Sequence, residues 1–587
     1  MYSTGNEYVS IPEIERNGSI RSFNVLSMDT RGMIEFRSSD NPFMEFTVVV
    51  DGKPVPSSCY DFSLDRYWIP MFKAEIGNFR IAVKLLAPVG YKGFMYSFEF
   101  CNEGNANRDI EILFHGNWTH TLHTVNESKT FEGSMNVYET GWSSCPCFDI
   151  ISGFPVMAFA PDTTKPSVWK TDRNDGISWS CSSSFRVESK KKEEWGIVWG
   201  VGFEEVAAVT AGREMIRHGV NDLYEETCHY LDRIIRNEGS DRFRETLNRN
   251  LLFSIFFSTG RTIDTEELVT ATSRSPRYYV SAAYWDRDTL LWSFPAIVQA
   301  DRNLAREILS YVSTRQRRNV GVHSRYIDGT VLESGFELDE LCAPVIAIEN
   351  YIEVTGDEEI LDDSDIVKLV DSIVSQIKGK RNEILGLYET FLQPTDDMRT
   401  YPYITYDNVL VWKVFRILAK WNWRGKGKDW DVQSVLLKDD INSNCIREFD
   451  GKMQYVWSVD EVGNFDIYDE PPGSLILLPV FDFVSRTDEA WMNTYDQITD
   501  PSYEYSFSGR RFGAIGCPHA PHPWVLSLCN LVRVNGDQDA LEKLLNAEMD
   551  DGIACESIDE DTGISTTGDA FATCAGYLAA TLMGEIR

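Results

Sequence analysis

The chain has 587 residues, a formal net charge of −34 and a 43% share of hydrophobic residues. This length exceeds what one hydrophobic core usually serves, so we expect two or more domains, and the hydrophobic share excludes a disordered chain. The negative charge argues against nucleic acids and anionic membranes as partners, because their phosphates would be repelled. The composition favours a neutral or cationic ligand.

The first residues, "MYSTGNEYVS", have no basic segment followed by an apolar run. No stretch approaches the roughly 18 consecutive apolar residues of a membrane-spanning helix. The 12 cysteines are scattered through a chain too large to need disulfide staples, which indicates reduced thiols. We therefore expect a cytoplasmic protein without a signal peptide or membrane span, and the sequence leaves open whether it forms a homo-oligomer.

Residues 1–204 have the pattern of short antiparallel strands. Runs such as "FTVVVDGKPV", "FRIAVKLLAP" and "GFMYSFEFCNEG" show alternation or enrichment in β-branched and aromatic residues, and Gly, Pro, Asn and Asp punctuate them. Many such strands at short intervals predict an antiparallel β-sandwich domain over residues 1–204.

The periodicity becomes helical near residue 205. Apolar residues recur at the spacing of a helix face in "EEVAAVTAGREMIRHGVNDLYEETCHYLDRIIRN", which predicts a charged linker helix over 205–238. The segment 239–587 has room for about a dozen ordinary helices with loops. The predicted fold class is therefore multidomain β + α, with an N-terminal antiparallel β-sandwich followed by an (α/α)6 barrel over 239–587.

Two loop motifs in the helical half precede apolar helical runs. "WDRDT" contains Trp285, Arg287 and Asp288, and this combination can stack on a sugar ring and bind its hydroxyls. "FELDELCAP" contains Glu337 and Asp339, a position that the helix dipole favours for acidic residues. Each motif is also compatible with an ordinary helix start carrying surface charges.

Three more polar motifs follow. "QPTDDMRTYPY" contains Asp396 and Asp397, although most such pairs are solvated turn residues. "GAIGCPHAPHPW" holds His519 in a proline-bounded loop, with His522 close behind, and "GIACESIDEDT" contains Glu556 before an Asp-rich turn. These two histidines are the ones expected near the acidic motifs, which is too few ligands for a zinc or calcium site.

The segment "YETFLQPTDDMRTYPYITYDNVLVW" resembles a motif of glycoside hydrolase family 125, the metal-independent exo-α-mannosidases of (α/α)6 fold. The family has a Pro-Ser-Asp-Asp core there. "WDRDT" is similar to its Trp-Leu-Arg-Asp-Ser motif and "FELDELCAP" to its Tyr-Glu-Leu-Asp-Ser-Leu-Cys-Tyr-Pro motif. "GAIGCPHAPHPW" is similar to Gly-Ile-Gly-Ser-Pro-His-Thr-Pro, and "GIACESIDEDT" to Met-His-Glu-Ser-Phe-Asp. The five motifs occur in the family's order over roughly residues 270–587.

The sequence also departs from that family. An N-terminal sandwich of this size is more like glucoamylase-type and phosphorylase-type relatives. Cys555 replaces the His before the catalytic Glu, and "STTGDAFATCAGYLAATL" replaces an Arg-Pro-Trp-Phe-Ala-Trp-Ala-Asn segment. These changes concern the pocket wall, so they bear on the sugar specificity more than on the hydrolytic residues.

The resemblance implies a role for each motif residue. It makes Asp396 the general acid, with Asp397 as the alternative, and Glu556 the general base of an inverting glycosidase. A buried Asp396 beside a second carboxylate is expected to have a raised pKa, which suits an acid. The same resemblance implies no metal and no cofactor, and it implies these substrate-binding residues: Trp285, Arg287, Asp288, Glu337, Asp339, Asp397 and His519.

The predicted function is an inverting, exo-acting α-glycoside hydrolase that releases a monosaccharide from the non-reducing end of oligosaccharides. An α-mannoside is the first expectation for the substrate and an α-glucoside the second. One alternative is a glycoside phosphorylase, in which phosphate replaces the activated water; the presence of Glu556 and the lack of a basic cluster argue against it. The other is a non-catalytic carbohydrate-binding protein of the same fold.

Overall fold

A computed structural model describes residues 2–174 and 176–585 of the chain. Contacts between Cα atoms divide it into two compact units, each built from several segments. The first unit comprises Met1–Ile235, Thr259–Val269 and Arg274–Ala282, and the second comprises Arg236–Ser258, Thr270–Ser273 and Ala283–Arg587. No helix in the described ranges has both the length and the apolar character needed to cross a membrane.

The first unit consists mainly of antiparallel strands. Their bounds are β1 Tyr2–Gly5, β2 Val9–Ile14, β3 Ser22–Ser27, β4 Gly32–Arg37, β5 Met44–Val50, β6 Lys53–Pro54, β7 Asp61–Asp65, β8 Ile69–Ile76, β9 Phe79–Leu86, β10 Gly93–Asn102, β11 Arg108–Trp118, β12 His120–Val125, β13 Glu127–Thr130, β14 Ser134–Glu139, β15 Pro146–Ser152, β16 Phe154–Thr163, β17 Val168–Asp172, β18 Ile177–Val187, β19 Lys192–Gly202, β20 Thr259–Arg261 and β21 Leu268–Thr270. The main sheets have the strand orders β1-β2-β3-β4-β12-β13, β14-β15-β16-β19-β10-β9-β8-β7 and β17-β18-β11-β5-β6.

Aromatic side chains form the core between these sheets. The Phe46 ring of β5 meets the Phe98 ring of β10 at a centroid distance of 5.2 Å, and the Phe23 ring of β3 meets the Phe159 ring of β16 at 5.4 Å. The eight-stranded sheet therefore packs against both of the other sheets. Along β9 buried side chains alternate with more exposed ones, which is the pattern of a strand in a two-layer sandwich. The predicted antiparallel sandwich is confirmed.

Two helices end the first segment of this unit, α1 Glu205–His218 and α2 Val220–Ile234, where the sequence predicts one linker helix over 205–238. Gly219 separates them with a φ of 106°, which is incompatible with a continuous helix. Helix α1 lies directly on β19, because a Cβ added at Gly200 would come within 2.2 Å of the Ala208 carbonyl oxygen. The segment is thus a packed part of this unit.

The second unit is helical, with short strands in its loops. The helices are α3 Asp241–Ser258, α4 Phe294–Ala300, α5 Arg302–Thr314, α6 Leu338–Thr355, α7 Ser364–Gly379, α8 Thr405–Lys420, α9 Gly427–Cys445, α10 Glu489–Thr499, α11 Val525–Asn535, α12 Gln538–Asn546 and α13 Ala572–Glu585. The strands are β22 Val322–Arg325, β23 Val331–Phe336, β24 Tyr403–Ile404, β25 Ile446–Phe449, β26 Lys452–Tyr455, β27 Ser458–Val459, β28 Phe465–Asp466, β29 Ser557–Ile558 and β30 Ser565–Thr567.

The helices form an inner and an outer ring, as predicted for an (α/α)6 barrel. Helices α4, α6, α8, α11 and α13 are largely buried, and contacts run from α8 through α6, α4 and α13 to α11. Helices α5, α7 and α12 each return the chain between two of these helices, so α4, α6 and α8 run in one direction, as do α11 and α13. Helix α3 packs on α13. The predicted motifs precede α4, α6, α8, α11 and α13, which brings their loops to one end of the barrel.

Candidate active site

Arg287 lies at the centre of the residues gathered at this end of the barrel. Its guanidinium Nη1 donates to Glu337 at 2.7 Å and to Asp339 at 3.1 Å, and its Nη2 donates to Asp396 at 2.6 Å. The Arg287 side chain is only 2% exposed. Because a buried cation is tolerated only when it is paired and hydrogen-bonded, this set of contacts fixes three motifs relative to one another.

The backbone at Arg287 forms a π-helical turn, Arg287–Ser293, which leads into α4. Such turns are frequent at functional sites. The Glu340 carboxylate accepts hydrogen bonds from the backbone N–H groups of Asp286 and Arg287, the second at 3.0 Å. Glu340, in the acidic first turn of α6, therefore fixes the start of the π-helical turn. The sequence alone predicts only that the dipole of α6 favours acidic residues there.

Asp288 and Trp285 line the same buried region. The Asp288 carboxylate accepts a hydrogen bond from Thr573 Oγ1 at 3.0 Å, and burial raises its pKa to about 7 although Arg287 opposes this shift. The Trp285 ring meets the His323 ring edge-on at a centroid distance of 5.6 Å. Its Nε1 has no acceptor among the described residues, so this N–H is available to a ligand hydroxyl.

His323 belongs to the site although the sequence motifs do not include it. Its Nδ1 donates to Glu337 and lies 3.5 Å from Asp396 Oδ1, while its Nε2 lies 3.5 Å from Glu333 Oε2. Burial opposes its charge, but the hydrogen bonds to Glu333 and Glu337 and the Asp396 charge raise the pKa of His323 to about 11. The sequence predicts only His519 and His522 near the acidic motifs, so this prediction misses His323.

This charged histidine should make stability depend on pH. The pKa of His323 is about 11 in the folded protein against 6.5 for the free side chain, so its contribution is complete below pH 6.5 and is lost as pH rises toward 11. We expect His323→Gln to lower the free energy of unfolding most at about pH 6 and progressively less toward about pH 9. Urea unfolding across this range measures the difference, with His522→Gln as the control. A deficit that grows with pH would contradict the assignment.

The loop of Asp396 differs from the sequence-based expectation. The Asp396 side chain is 36% exposed, whereas the sequence predicts a buried one, and it contacts Arg287. The preceding residue, Thr395, donates from its backbone N and its Oγ1 to Glu470 at 2.8 and 2.7 Å, which anchors the loop.

Glu556 is buried in the loop before α13. Its Oε1 accepts a hydrogen bond from Thr567 Oγ1 at 3.2 Å, and its side chain packs against Gly568. Gly568 has a φ of +68°, and a Cβ there would come within 2.5 Å of the Glu556 Cβ. The "STTG" segment, which departs from the family pattern, thus shapes the space around Glu556.

His519 connects the two carboxylate loops. Its Nδ1 lies 3.7 Å from Asp397 Oδ2. The Asp397 carboxylate raises the pKa of His519 although partial burial opposes this shift, and the charges of Glu556 and Asp396 act in the same direction as Asp397. The loop of His519 also contacts the loop of Glu556, because the Val525 N–H donates to the Glu556 carbonyl oxygen at 3.1 Å.

Other buried carboxyl groups surround this site without having been predicted. Glu470, which anchors Thr395, has a pKa raised well above its usual range by burial. Asp407 on α8 is fully buried, and neither of its oxygens has a hydrogen-bond partner among the described residues. Burial, together with the charges of Asp339 and Glu337, raises the pKa of Asp407 well above its usual range.

Three ligand-type side chains also come together here: the nearest donor atoms of His323, Glu337 and Asp396 lie within 4.8 Å of one another. A metal at that position would compete with the Arg287 guanidinium, which already donates to Glu337 and Asp396. The absence of a metal requirement stays a prediction. We expect glycoside turnover to be unchanged by EDTA, and a loss that a divalent ion restores would contradict it.

The buried ion cluster gives a prediction about stability. Replacing Arg287 by Met would leave Glu337 and Asp339 without their cation, and breaking such a buried pair typically costs about 3–5 kcal/mol. The loss should be smaller at about pH 5 than at about pH 8, because the buried carboxylates can then be protonated. The control Arg416→Met removes a half-exposed pair with Asp431, which is worth at most about 1 kcal/mol. Equal losses of unfolding free energy in the two variants would contradict the central role of Arg287.

The predicted residues thus fall into two adjoining groups. Trp285, Asp288, Glu337, Asp339 and Asp396 surround Arg287, while Asp397 and Glu556 lie near His519. The two groups adjoin because Asp396 and Asp397 are consecutive residues, one on Arg287 and the other by His519. Their individual roles stay predictions.

The described geometry agrees with a family match over part of the chain. Residues 368–583 match the family model described as metal-independent alpha-mannosidase (GH125). The resemblance seen in the sequence motifs is confirmed, and the second unit contains a divergent domain similar to this family. The "WDRDT" and "FELDELCAP" motifs lie before the matched range. No curated protein sequence matches the chain significantly.

Three solved structures have a similar fold. A metal-independent alpha mannosidase from Streptococcus pneumoniae, in a non-productive complex with alpha-1,6-mannobiose, covers 63% of this chain and 99% of its own length at 17% identity and a TM-score of 0.53. A bacterial glucoamylase complexed with acarbose covers 99% of this chain and 94% of its own length, at 13% identity and a TM-score of 0.61. A putative kojibiose phosphorylase from human microbiome covers 98% of this chain and 86% of its own length, at 12% identity and a TM-score of 0.60. At these identities the likeness concerns the fold, and together with the family match it indicates an enzyme that acts on glycosides.

Proposed function

We propose that the protein is an inverting, exo-acting α-glycoside hydrolase, with Asp396 as the general acid and Glu556 as the general base. The observation that carries this proposal is that both carboxylate loops contact the loop of His519. Its Nδ1 lies 3.7 Å from Asp397, and the backbone N–H of Val525, where that loop ends, donates to the Glu556 carbonyl oxygen at 3.1 Å. Inverting hydrolysis requires two carboxyl groups on opposite faces of a sugar. Two independent loops at one barrel end can supply them.

In the proposed reaction the Asp396 carboxyl transfers its proton to the glycosidic oxygen as the bond from this oxygen to the anomeric carbon breaks. A water molecule attacks the anomeric carbon from the opposite face, and Glu556 takes the proton that this water loses. The products are the free leaving alcohol and a sugar of inverted configuration. Asp396 then regains a proton and Glu556 releases one to solvent, which restores both groups.

The residues around Arg287 are proposed to bind the non-reducing-end sugar. The Trp285 indole N–H and the Asp288 carboxyl can hydrogen-bond to its hydroxyls, and the indole face can stack on its ring. The buried cluster of Arg287, Glu337 and Asp339 keeps these groups rigid, which lowers the cost of binding. The proposed exo mode of action is carried over from the resemblance to glycoside hydrolase family 125.

The proposed glycone is an α-mannoside first and an α-glucoside second. The match of residues 368–583 to the α-mannosidase family supports the first choice. The segment around Thr567 and Gly568 differs from the family pattern and packs on Glu556, so an α-glucoside stays a candidate substrate. The proposed substrate is therefore an oligosaccharide or simple glycoside with one of these terminal sugars, acted on without a metal or cofactor in a cytoplasmic setting.

The similar fold of a putative kojibiose phosphorylase makes phosphorolysis the second candidate. A phosphorylase places phosphate where a hydrolase activates water, and a base there is unnecessary. The buried Glu556 carboxylate would repel a phosphate at that position. This carboxylate favours hydrolysis.

Incubating α-linked disaccharides with and without inorganic phosphate separates the candidates. We expect free monosaccharide in both reactions, at the same rate. A sugar 1-phosphate formed only with phosphate would instead identify a phosphorylase. Calorimetric binding of the disaccharide with no product of either kind would identify a non-catalytic carbohydrate-binding protein.

A further inference from the structure

A large cavity adjoins the site on the side of Asp397 and His519. It has a volume of about 1110 Å³, and both of these residues lie in its wall. The rest of the wall comes from the β25–β26 hairpin, the segment around β28, helix α10 and the loop that follows α10. This volume lies at the upper end of ordinary ligand pockets, so the cavity can accept more than a single sugar ring.

Tyrosine side chains form one part of the cavity wall. The Tyr505 ring meets the Tyr468 ring at a centroid distance of 6.1 Å and 85°, and the Tyr503 ring at 6.0 Å and 76°. All three side chains are half-buried. Edge-to-face packing holds the rings in place while part of their surface stays open to stack on the apolar faces of sugars.

Gln454 shows that this wall is built for a polar ligand. Its side chain lines the cavity and is 2% exposed, yet its Nε2 has no hydrogen-bond partner among the described residues. A buried amide donor without an acceptor is costly. A ligand hydroxyl in the cavity would remove that cost.

The charge of the cavity wall is strongly negative. Lys452 and His519 are its basic residues. Its carboxylates are more numerous: Asp397, Asp450, Asp466, Asp496, Asp500 and Glu504. Charged side chains of one sign that line a cleft raise the local concentration of ligands with the opposite charge and repel ligands with the same charge.

We infer that this cavity binds the leaving-group side of the oligosaccharide and selects its charge, preferring an amino-bearing leaving sugar to a neutral one and rejecting a carboxylate-bearing one. This inference rests on the proposed hydrolase function, since it assigns the cavity to the leaving group. The position of the cavity beside Asp397, next to the proposed acid, supports that assignment. It adds a substrate class that the family match does not supply.

Three disaccharides with the same α-linked non-reducing sugar test the inference. Their leaving hexoses carry an amine, a hydroxyl or a carboxylate at carbon 6. At low ionic strength we expect kcat/KM to fall in that order, by about tenfold between amine and carboxylate, which corresponds to a few exposed charge interactions of modest size. At about 0.5 M salt the ratio should approach one, because such charges are then screened. A ratio near one at low salt would overturn the inference.

Single substitutions locate the effect in the cavity wall. Asp496→Asn, on α10 in the wall, should reduce the amine-to-carboxylate ratio by about twofold or threefold, as expected for one exposed charge. Glu489→Gln, an exposed charge on the same helix outside the wall, is the matched control and should leave the ratio unchanged.

Gln454→Leu should lower kcat/KM for all three disaccharides but not for an aryl glycoside, which has no leaving sugar. Equal effects on both substrate types would contradict the inference.

The same substrates separate this inference from the proposed function. If the aryl glycoside and the neutral disaccharide are hydrolysed but charge has no effect, only the inference fails. If no substrate is hydrolysed, the proposed function fails. In that case calorimetric titration with the three free leaving hexoses tests the cavity directly, and the inference still requires the amine to bind most tightly.

Discussion

Replacing Asp396 by Asn should slow the hydrolysis of alkyl α-glycosides by about 10²–10⁴-fold, the usual contribution of general acid–base catalysis. An alkoxide leaves poorly without a proton, so these substrates depend on the acid. Activated aryl glycosides should lose far less, because their leaving groups depart with little help. Steady-state rates on a matched alkyl and aryl pair measure the contrast.

Asp397→Asn is the matched control, because it changes the adjacent carboxylate. Asp397 lies by His519 and the large cavity, whereas Asp396 contacts Arg287. We expect Asp397→Asn to weaken binding of the leaving sugar and to leave the aryl-to-alkyl contrast as in the original protein. If this variant, and not Asp396→Asn, shows the contrast, then Asp397 is the acid.

Replacing Glu556 by Gln should slow alkyl and aryl glycosides equally, again by about 10²–10⁴-fold. Activation of water is needed whatever group leaves, so the leaving group should not matter. The amide can keep the hydrogen bond from Thr567, so the fold should be retained. Measuring the same pair of substrates, with circular dichroism as a check on folding, gives the comparison.

Glu560→Gln provides the control for this second variant. Glu560 lies in the same loop but pairs with His522 at 3.1 Å. Its loss should change both rates little. A Glu556→Gln variant that affects only the alkyl substrate would mean that Glu556 protonates the leaving group.

The fold was predictable from periodicity because each unit buries its apolar side chains in a regular way. Alternation in runs such as β9 predicts the sandwich, and the recurring apolar faces of the second half predict the barrel. Over 205–238 the sequence predicts one linker helix, whereas the structure has two helices. Periodicity does not report the positive φ of Gly219 or the packing of α1 on β19.

The location of the site was predictable for a topological reason. Its motifs precede inner helices that run in the same direction, so their loops meet at one end of the barrel. His323 lies in a strand outside these motifs, thirteen residues before the start of "FELDEL", so no motif includes it. The exposure of Asp396 and the buried contact of Glu470 with Thr395 depend on distances between segments far apart in the sequence, and no local pattern reports them.

The configuration of the first sugar released distinguishes inversion from retention. Proton NMR during the hydrolysis of an α-glycoside, recorded before mutarotation equilibrates the anomers, distinguishes the two outcomes. Asp396 as the acid and Glu556 as the base for water predict release of the β-anomer, because water attacks from the face opposite the leaving group. Release of the α-anomer would contradict this account and make one of the carboxylates a nucleophile.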